Sequence, residues 1–101
     1  MLHKISVPDT FEGIDRVRVL EYHCDVDAEI NPGDLLFELE THKVVIEVRA
    51  AQWGIVRDLP CAEGAWCALG AVLAVIGDNR DDPIPGTLAE LGSIEAVFQI
   101  A

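Results

Sequence analysis

Basic residues are scarce in this chain. Of 101 residues only 7 are lysine or arginine, against 18 aspartate or glutamate, for a formal net charge of −11. Nothing here supplies the basic face that displaces phosphate counterions, which argues strongly against a nucleic-acid partner. Adsorption to anionic lipid is disfavoured on the same ground, as is chemistry on a small acidic substrate. No apolar run is long enough to span a bilayer. The start, Met1-Leu2-His3-Lys4-Ile5-Ser6-Val7-Pro8, lacks the long apolar stretch of a secretory signal. The expectation is a cytoplasmic protein without membrane or nucleic-acid partners. Aromatic residues are only 6 % of the chain, so its core must be built from Val, Ile, Leu and Ala. Cysteine is sparse too: Cys24, Cys61 and Cys67 form an odd set, consistent with reduced thiols. His23 beside Cys24 raises the question of zinc, but there is no CxxC pair and the spacings fit no ordinary zinc site. The cysteines are read as small apolar core residues, and no metal is expected.

What remains is a single small domain built of short strands. Val17 and Val19 interleave with Arg16 and Arg18; Leu35, Phe37 and Leu39 alternate with Leu36, Glu38 and Glu40. Val44 to Val48 is rich in β-branched residues, and Ile55-Val56 and Val72 to Ile76 follow. Turn signals separate these runs, among them Asn31-Pro32-Gly33-Asp34, Trp53-Gly54, Glu63-Gly64 and Gly77-Asp78-Asn79. Many short strands at frequent turns predict an all-β sandwich or barrel.

An internal repeat sharpens the reading. A shift of 37 positions places Val19 on Val56, Cys24 on Cys61, Ala28 on Ala65, Gly33 on Gly70 and Leu36 on Leu73. Two similar sheets related by a pseudo-twofold axis are expected. Gly33 and Gly70 should each stand where a turn needs positive φ or close backbone approach.

The chain changes character at Asp78. Residues 1–78 are read as the domain and 79–101 as a polar, proline-interrupted linker with a C-terminal tail. The tail is either a short helix, capped by Thr87 with Leu88, Leu91, Glu95 and Phe98 along one side, or a frayed terminus. An apolar strip on such a helix would dock on the domain or on a partner.

Chemistry points to Leu39-Glu40-Thr41-His42-Lys43-Val44-Val45. A strand runs in and a strand runs out, so Thr41-His42-Lys43 must form a tight, exposed hairpin turn. The chain has only two lysines, Lys4 and Lys43, and the second stands at this tip, at the junction of the repeats. An amine held away from the body on a flexible stem suits a carrier of an amide-linked prosthetic group. From the turn alone, an ordinary solvated lysine is the simpler reading.

At these residues the sequence resembles the biotinyl/lipoyl attachment domains, most closely the lipoyl domains of the dihydrolipoyl acyltransferases of 2-oxo acid dehydrogenase complexes. Four stretches carry the likeness over about residues 4–77: Pro8-Asp9-Thr10-Phe11-Glu12-Gly13-Ile14; Gly33-Asp34-Leu35-Leu36-Phe37-Glu38-Leu39-Glu40-Thr41-His42-Lys43; Ala50 to Val56; and Glu63-Gly64 through Leu73-Ala74-Val75-Ile76. Their order and spacing make the signal specific.

The resemblance implies a flattened barrel, or barrel-sandwich hybrid, of two four-stranded antiparallel sheets. It places the modified lysine at Lys43, with Glu40, Thr41, His42 and Val44 forming the attachment turn that partners recognise. Arg80, which matches Lys43 in the repeat register, falls at the opposite pole, near the termini. The implied function is non-catalytic carriage. Lipoate on Lys43 reaches roughly 14 Å from the backbone and shuttles acyl groups between active sites. The implied partners are a lipoate ligase or lipoyl transferase, a thiamine diphosphate-dependent decarboxylase, an acyltransferase core and a flavin-dependent dihydrolipoyl dehydrogenase. The loop Pro8–Asp15 should lie near the lysine turn and help the decarboxylase recognise it.

Departures from the family pattern matter. His42 stands where lipoyl domains usually have Asp. It is a tolerated surface change, a mark of a variant ligase or partner, or a mark of lost modification. In the last case the chain is an unmodified lipoyl-like structural or adaptor module. Biotin is the minor option, because His42 and Val44 replace the methionines that flank a biotinyl lysine. Val17 and Asp27 replace glycines and are expected to alter turns. Trp53 is read as packing against the barrel end, and Trp66 as a strand residue with no partner role. The tail matches no subunit-binding domain, so the chain is a free-standing carrier or a piece of a larger one.

Overall fold

Alternating sequence becomes alternating burial. In Val45–Ala50, Ile46, Val48 and Ala50 turn inward and are buried while Glu47 and Arg49 lie at the surface, the period of two that a strand imposes. The structure is a computed structural model that describes residues 1–8 and 13–101. Its strands are β1 (Leu2–Ser6), β2 (Arg16–Tyr22), β3 (Glu29–Ile30), β4 (Leu35–Glu40), β5 (Val45–Ala50), β6 (Gly54–Asp58), β7 (Trp66–Ala68), β8 (Val72–Gly77), β9 (Gly92–Ser93) and β10 (Ala96–Ile100).

They form two open sheets, ordered β3-β6-β8-β1-β9 and β10-β5-β4-β2-β7. The expected all-β architecture is present, and the tail adds one strand to each four-stranded sheet. Leu36, Phe37, Leu39, Val17, Val19, Val48, Val56 and Leu73 fill the space between the sheets. Simple alternation fails in β4, where a register shift between Leu35 and Phe37 turns consecutive residues Leu36 and Phe37 both into the core.

The repeat is visible in the hydrogen bonds. Asp27 N–H donates to the Val56 carbonyl and Gly64 N–H to the Val19 carbonyl, each at 2.7 Å; these are the same bond in the two halves. Ala28 to Asp25 and Ala65 to Ala62 form a second such pair, both 3.1 Å. Gly33 and Gly70 have φ of 92° and 84°, the left-handed backbone expected of them. Arg80 follows β8 and donates to the Asp27 carbonyl at 3.1 Å, close to where the Met1 amino group meets Asp78.

Two expectations need correction. Val17 is not in a turn: it is a fully buried residue of β2. Nor is there a helix along Leu88 to Phe98. Thr87 makes no side-chain cap, and only Leu88–Glu90 form a short 3-10 turn before β9 and β10. The spacing of Leu88, Leu91 and Phe98 suited a helix, but the edges of β1 and β5 offered unpaired backbone groups. β9 pairs in parallel with β1, and β10 pairs antiparallel with β5 over five residues. Ile94, Ala96 and Phe98 pack against the core.

Candidate functional site

The β4–β5 hairpin closes on two residues. Pairing runs to Glu40 opposite Val45, and Thr41 N–H donates to the Val44 carbonyl at 2.9 Å, leaving His42 and Lys43 exposed at the tip. Two-residue hairpins usually need positive φ, yet neither residue has it. The Thr41 hydroxyl compensates. Its oxygen accepts from the amides of Lys43 (3.1 Å) and Val44 (2.9 Å) and donates to the Val44 carbonyl (2.9 Å). Thr41 is therefore not exposed as expected. At 6 % exposure it is the one buried polar side chain among the described residues. Val44, partly buried, packs its side chain on the core.

Lys43 is exposed, and among the described residues no acceptor engages its amine. Gly13, at φ 75°, lies so close that a Cβ there would stand 2.8 Å from Lys43 Nζ. The Pro8–Asp15 loop thus meets the lysine turn at Gly13; its residues 9–12 lie outside the described residues. Lys4, in contrast, donates its amine to the Ala89 carbonyl of the tail at 2.5 Å.

A second group flanks the turn. Glu40 is ion-paired with Arg18 of β2. Trp66, on the neighbouring β7, stacks beneath the guanidinium groups of Arg16 and Arg18, at 4.8 and 5.2 Å from its ring centre. Arg16 and Trp66, with Asp15, Glu40, Thr41 and His42, line a cleft of about 510 Å³. Trp66 is a strand residue as expected, but it is 43 % exposed and borders the hairpin tip. The available signal was Arg16 and Arg18 two apart on one strand face. Trp53 is exposed, and its indole N–H donates to Glu29 at 2.9 Å. Cys24 and Cys61 are half-buried against the core, as read from the sequence.

Residues 3–76 match the family model for biotin/lipoyl domains, described as "Biotin-requiring enzyme". The chain belongs to the biotin/lipoyl attachment family. Domains of this family are non-catalytic carriers. The domain is 31 % identical over 76 residues to the dihydrolipoyllysine-residue succinyltransferase component of the 2-oxoglutarate dehydrogenase complex of Staphylococcus saprophyticus, covering 75 % of this chain and 18 % of the relative. It is 30 % identical over 96 residues to the same component from Rickettsia conorii, covering 95 % and 24 %. The lipoamide acyltransferase component of the branched-chain alpha-keto acid dehydrogenase complex of Pseudomonas aeruginosa is 32 % identical over 71 residues, covering 70 % and 17 %. The chain thus spans about a quarter or less of the length of these curated relatives. This biotin/lipoyl domain is related to the lipoyl domains of 2-oxo acid dehydrogenase acyltransferases.

Proposed function

We propose that this domain is a lipoate carrier, with lipoate amide-linked to Lys43, serving a 2-oxo acid dehydrogenase-type complex in the cytoplasm. The observation that carries the reading is the contrast between the two lysines. Lys43 Nζ stands at a two-residue tip without an acceptor among the described residues, while Lys4 Nζ is held by Ala89. An amide linkage needs an unencumbered primary amine on an exposed stem, and the tip supplies one. Bound lipoate would supply a dithiolane that carries acyl groups between active sites.

The chain's own part is presentation. Thr41 fixes the backbone of the tip, Arg18 holds Glu40 at its base, and His42 is the exposed neighbour that partners meet. The body, at −11, favours approach to basic partner surfaces. Tethering keeps the arm at high effective concentration, millimolar for short flexible linkers. The partners on this reading are a lipoate ligase or lipoyl transferase, a thiamine diphosphate-dependent decarboxylase, an acyltransferase core and a flavin-dependent dihydrolipoyl dehydrogenase. Biotin is the minor alternative.

Incubation with a lipoate ligase, ATP and lipoate, read by intact mass and peptide mapping, tests this. One lipoyl adduct on Lys43 is expected, kept in Lys4→Arg and lost in Lys43→Arg. No adduct, or an adduct on Lys4, would overturn the reading in favour of an unmodified adaptor; a biotin adduct in cells would favour the biotin carrier. If His42 weakens ligase recognition, His42→Asp speeds modification, and an unchanged or slower rate refutes that.

A further inference from the structure

Cys61 and Cys67 bring their sulfurs to 2.8 Å. That is closer than non-bonded heavy atoms ordinarily rest, about 3.5–4.0 Å between carbons. Cys61 lies in the β6–β7 connection and Cys67 in the middle of β7. Both are partly buried.

The internal repeat supplies a control. Cys24 occupies in the first half the place of Cys61 in the second, and each thiol meets a carbonyl at the start of a core strand, one residue apart in the repeat register: Cys24 the Leu36 carbonyl of β4 at 3.5 Å and Cys61 the Val72 carbonyl of β8 at 3.3 Å. The position matching Cys67 is Ile30, a core residue 4 % exposed. The first half therefore carries one thiol and an aliphatic side chain at the positions where the second carries two thiols, so the architecture does not require a thiol pair. β7 is also the outermost strand of its sheet, with Trp66 and Ala68 exposed on either side of Cys67. A small reagent has access from the open edge.

We propose that Cys61 and Cys67 are a redox-active dithiol that closes to an intrachain disulfide by exchange with a low-molecular-weight disulfide. Cys67, at the edge, loses its proton and attacks one sulfur of that disulfide; the small S–S bond breaks, and one half departs with the electron pair and takes up a proton. Cys61 then loses its proton and attacks the Cys67 sulfur, and the second half departs in the same way. Two protein thiols become one disulfide, and the small disulfide becomes two thiols. Burial, reinforced by the contact with Cys67, pushes the Cys61 thiol up to about 12, which disfavours it for the first attack and leaves that step to the edge cysteine. The closed form ties the β7 edge to the β6–β7 connection, one residue from Trp66.

The test uses the full chain with Lys43 unmodified, verified by mass, so that the outcome is independent of the carrier reading. Oxidised glutathione is the probe. The expected result is loss of two hydrogen atoms, a cross-linked Cys61–Cys67 peptide, and reversal by dithiothreitol. Cys24→Ser should behave as the parent, and Cys67→Ser should form no disulfide. A persistent glutathione adduct on Cys61 or Cys67, a disulfide that includes Cys24, or an unchanged mass in the parent chain would each overturn the proposal. Because the parent chain alone decides, misfolding of a variant cannot obscure the answer.

Discussion

The hydroxyl of Thr41 donates to the carbonyl of Val44 at 2.9 Å, and the same oxygen accepts the Val44 amide at 2.9 Å. One buried side chain thus adds three hydrogen bonds to the backbone bond that closes the turn holding Lys43 out. Thr41→Val keeps the shape and removes the hydroxyl, leaving partners unsatisfied. It should cost about 1–3 kcal/mol in urea unfolding, with slower modification of Lys43 by ligase. Thr41→Ser should keep most of both.

Asp27 occupies the place of Gly64 in the repeat, and both have left-handed backbone, at φ 75° and 82°. A Cβ in that region costs roughly 1–2 kcal/mol, offset in part by the extra freedom glycine brings to the unfolded chain. Asp27→Gly should raise stability by about 0.5–1 kcal/mol, and Gly64→Ala should lower it. Chemical denaturation of both variants checks the pair; a stability loss in Asp27→Gly would refute the strain argument.

Tyr22 sits edge-on to Phe37, and its hydroxyl reaches the carbonyls of Cys61 (2.8 Å) and Leu73 (3.0 Å). Burial raises its pKa well above 10, and burial also lifts Cys24 to about 11 and Cys61 to about 12. Folded pKa values above the unfolded ones mean that this stability is present below about pH 9 and is lost as pH rises through the folded values. Unfolding midpoints should therefore fall steadily from pH 9 to pH 12. Tyr22→Phe should be less stable at pH 7 and show a shallower alkaline decline.

Phe98 lies opposite Val48 in the β10–β5 register and packs against the core. Being half-buried, it should contribute less than the 3–5 kcal/mol of a fully buried phenylalanine. Phe98→Ala should cost about 1–2 kcal/mol and speed amide exchange along β5. Val97→Ala, on the exposed side of the same strand, should stay within about 0.5 kcal/mol.

Much of this was legible in the amino-acid order alone. Apolar alternation and punctuation by Gly33, Gly70 and their neighbours determined an all-β sandwich. The 37-residue shift determined its symmetry, because equivalent residues must make equivalent bonds. The scarcity of lysine and the position of Lys43 between two strand runs singled out the hairpin tip. These are local properties, set by backbone sterics and side-chain period.

Only the tertiary structure decided the rest. The tail's helix-like spacing gave way because β1 and β5 presented open edges, and strand pairing there satisfies backbone groups that a short helix containing Gly92 would hold less well. Thr41 is the polar residue that is buried, because the hairpin folds its hydroxyl back on its own turn. Trp66 joins Arg16 and Arg18 beside the tip, and Cys61 meets Cys67, because β7 docks on β2 and the β6–β7 connection folds back against it. Such meetings depend on which strands become neighbours, and that is chosen by the closing of the whole core rather than by any segment of it.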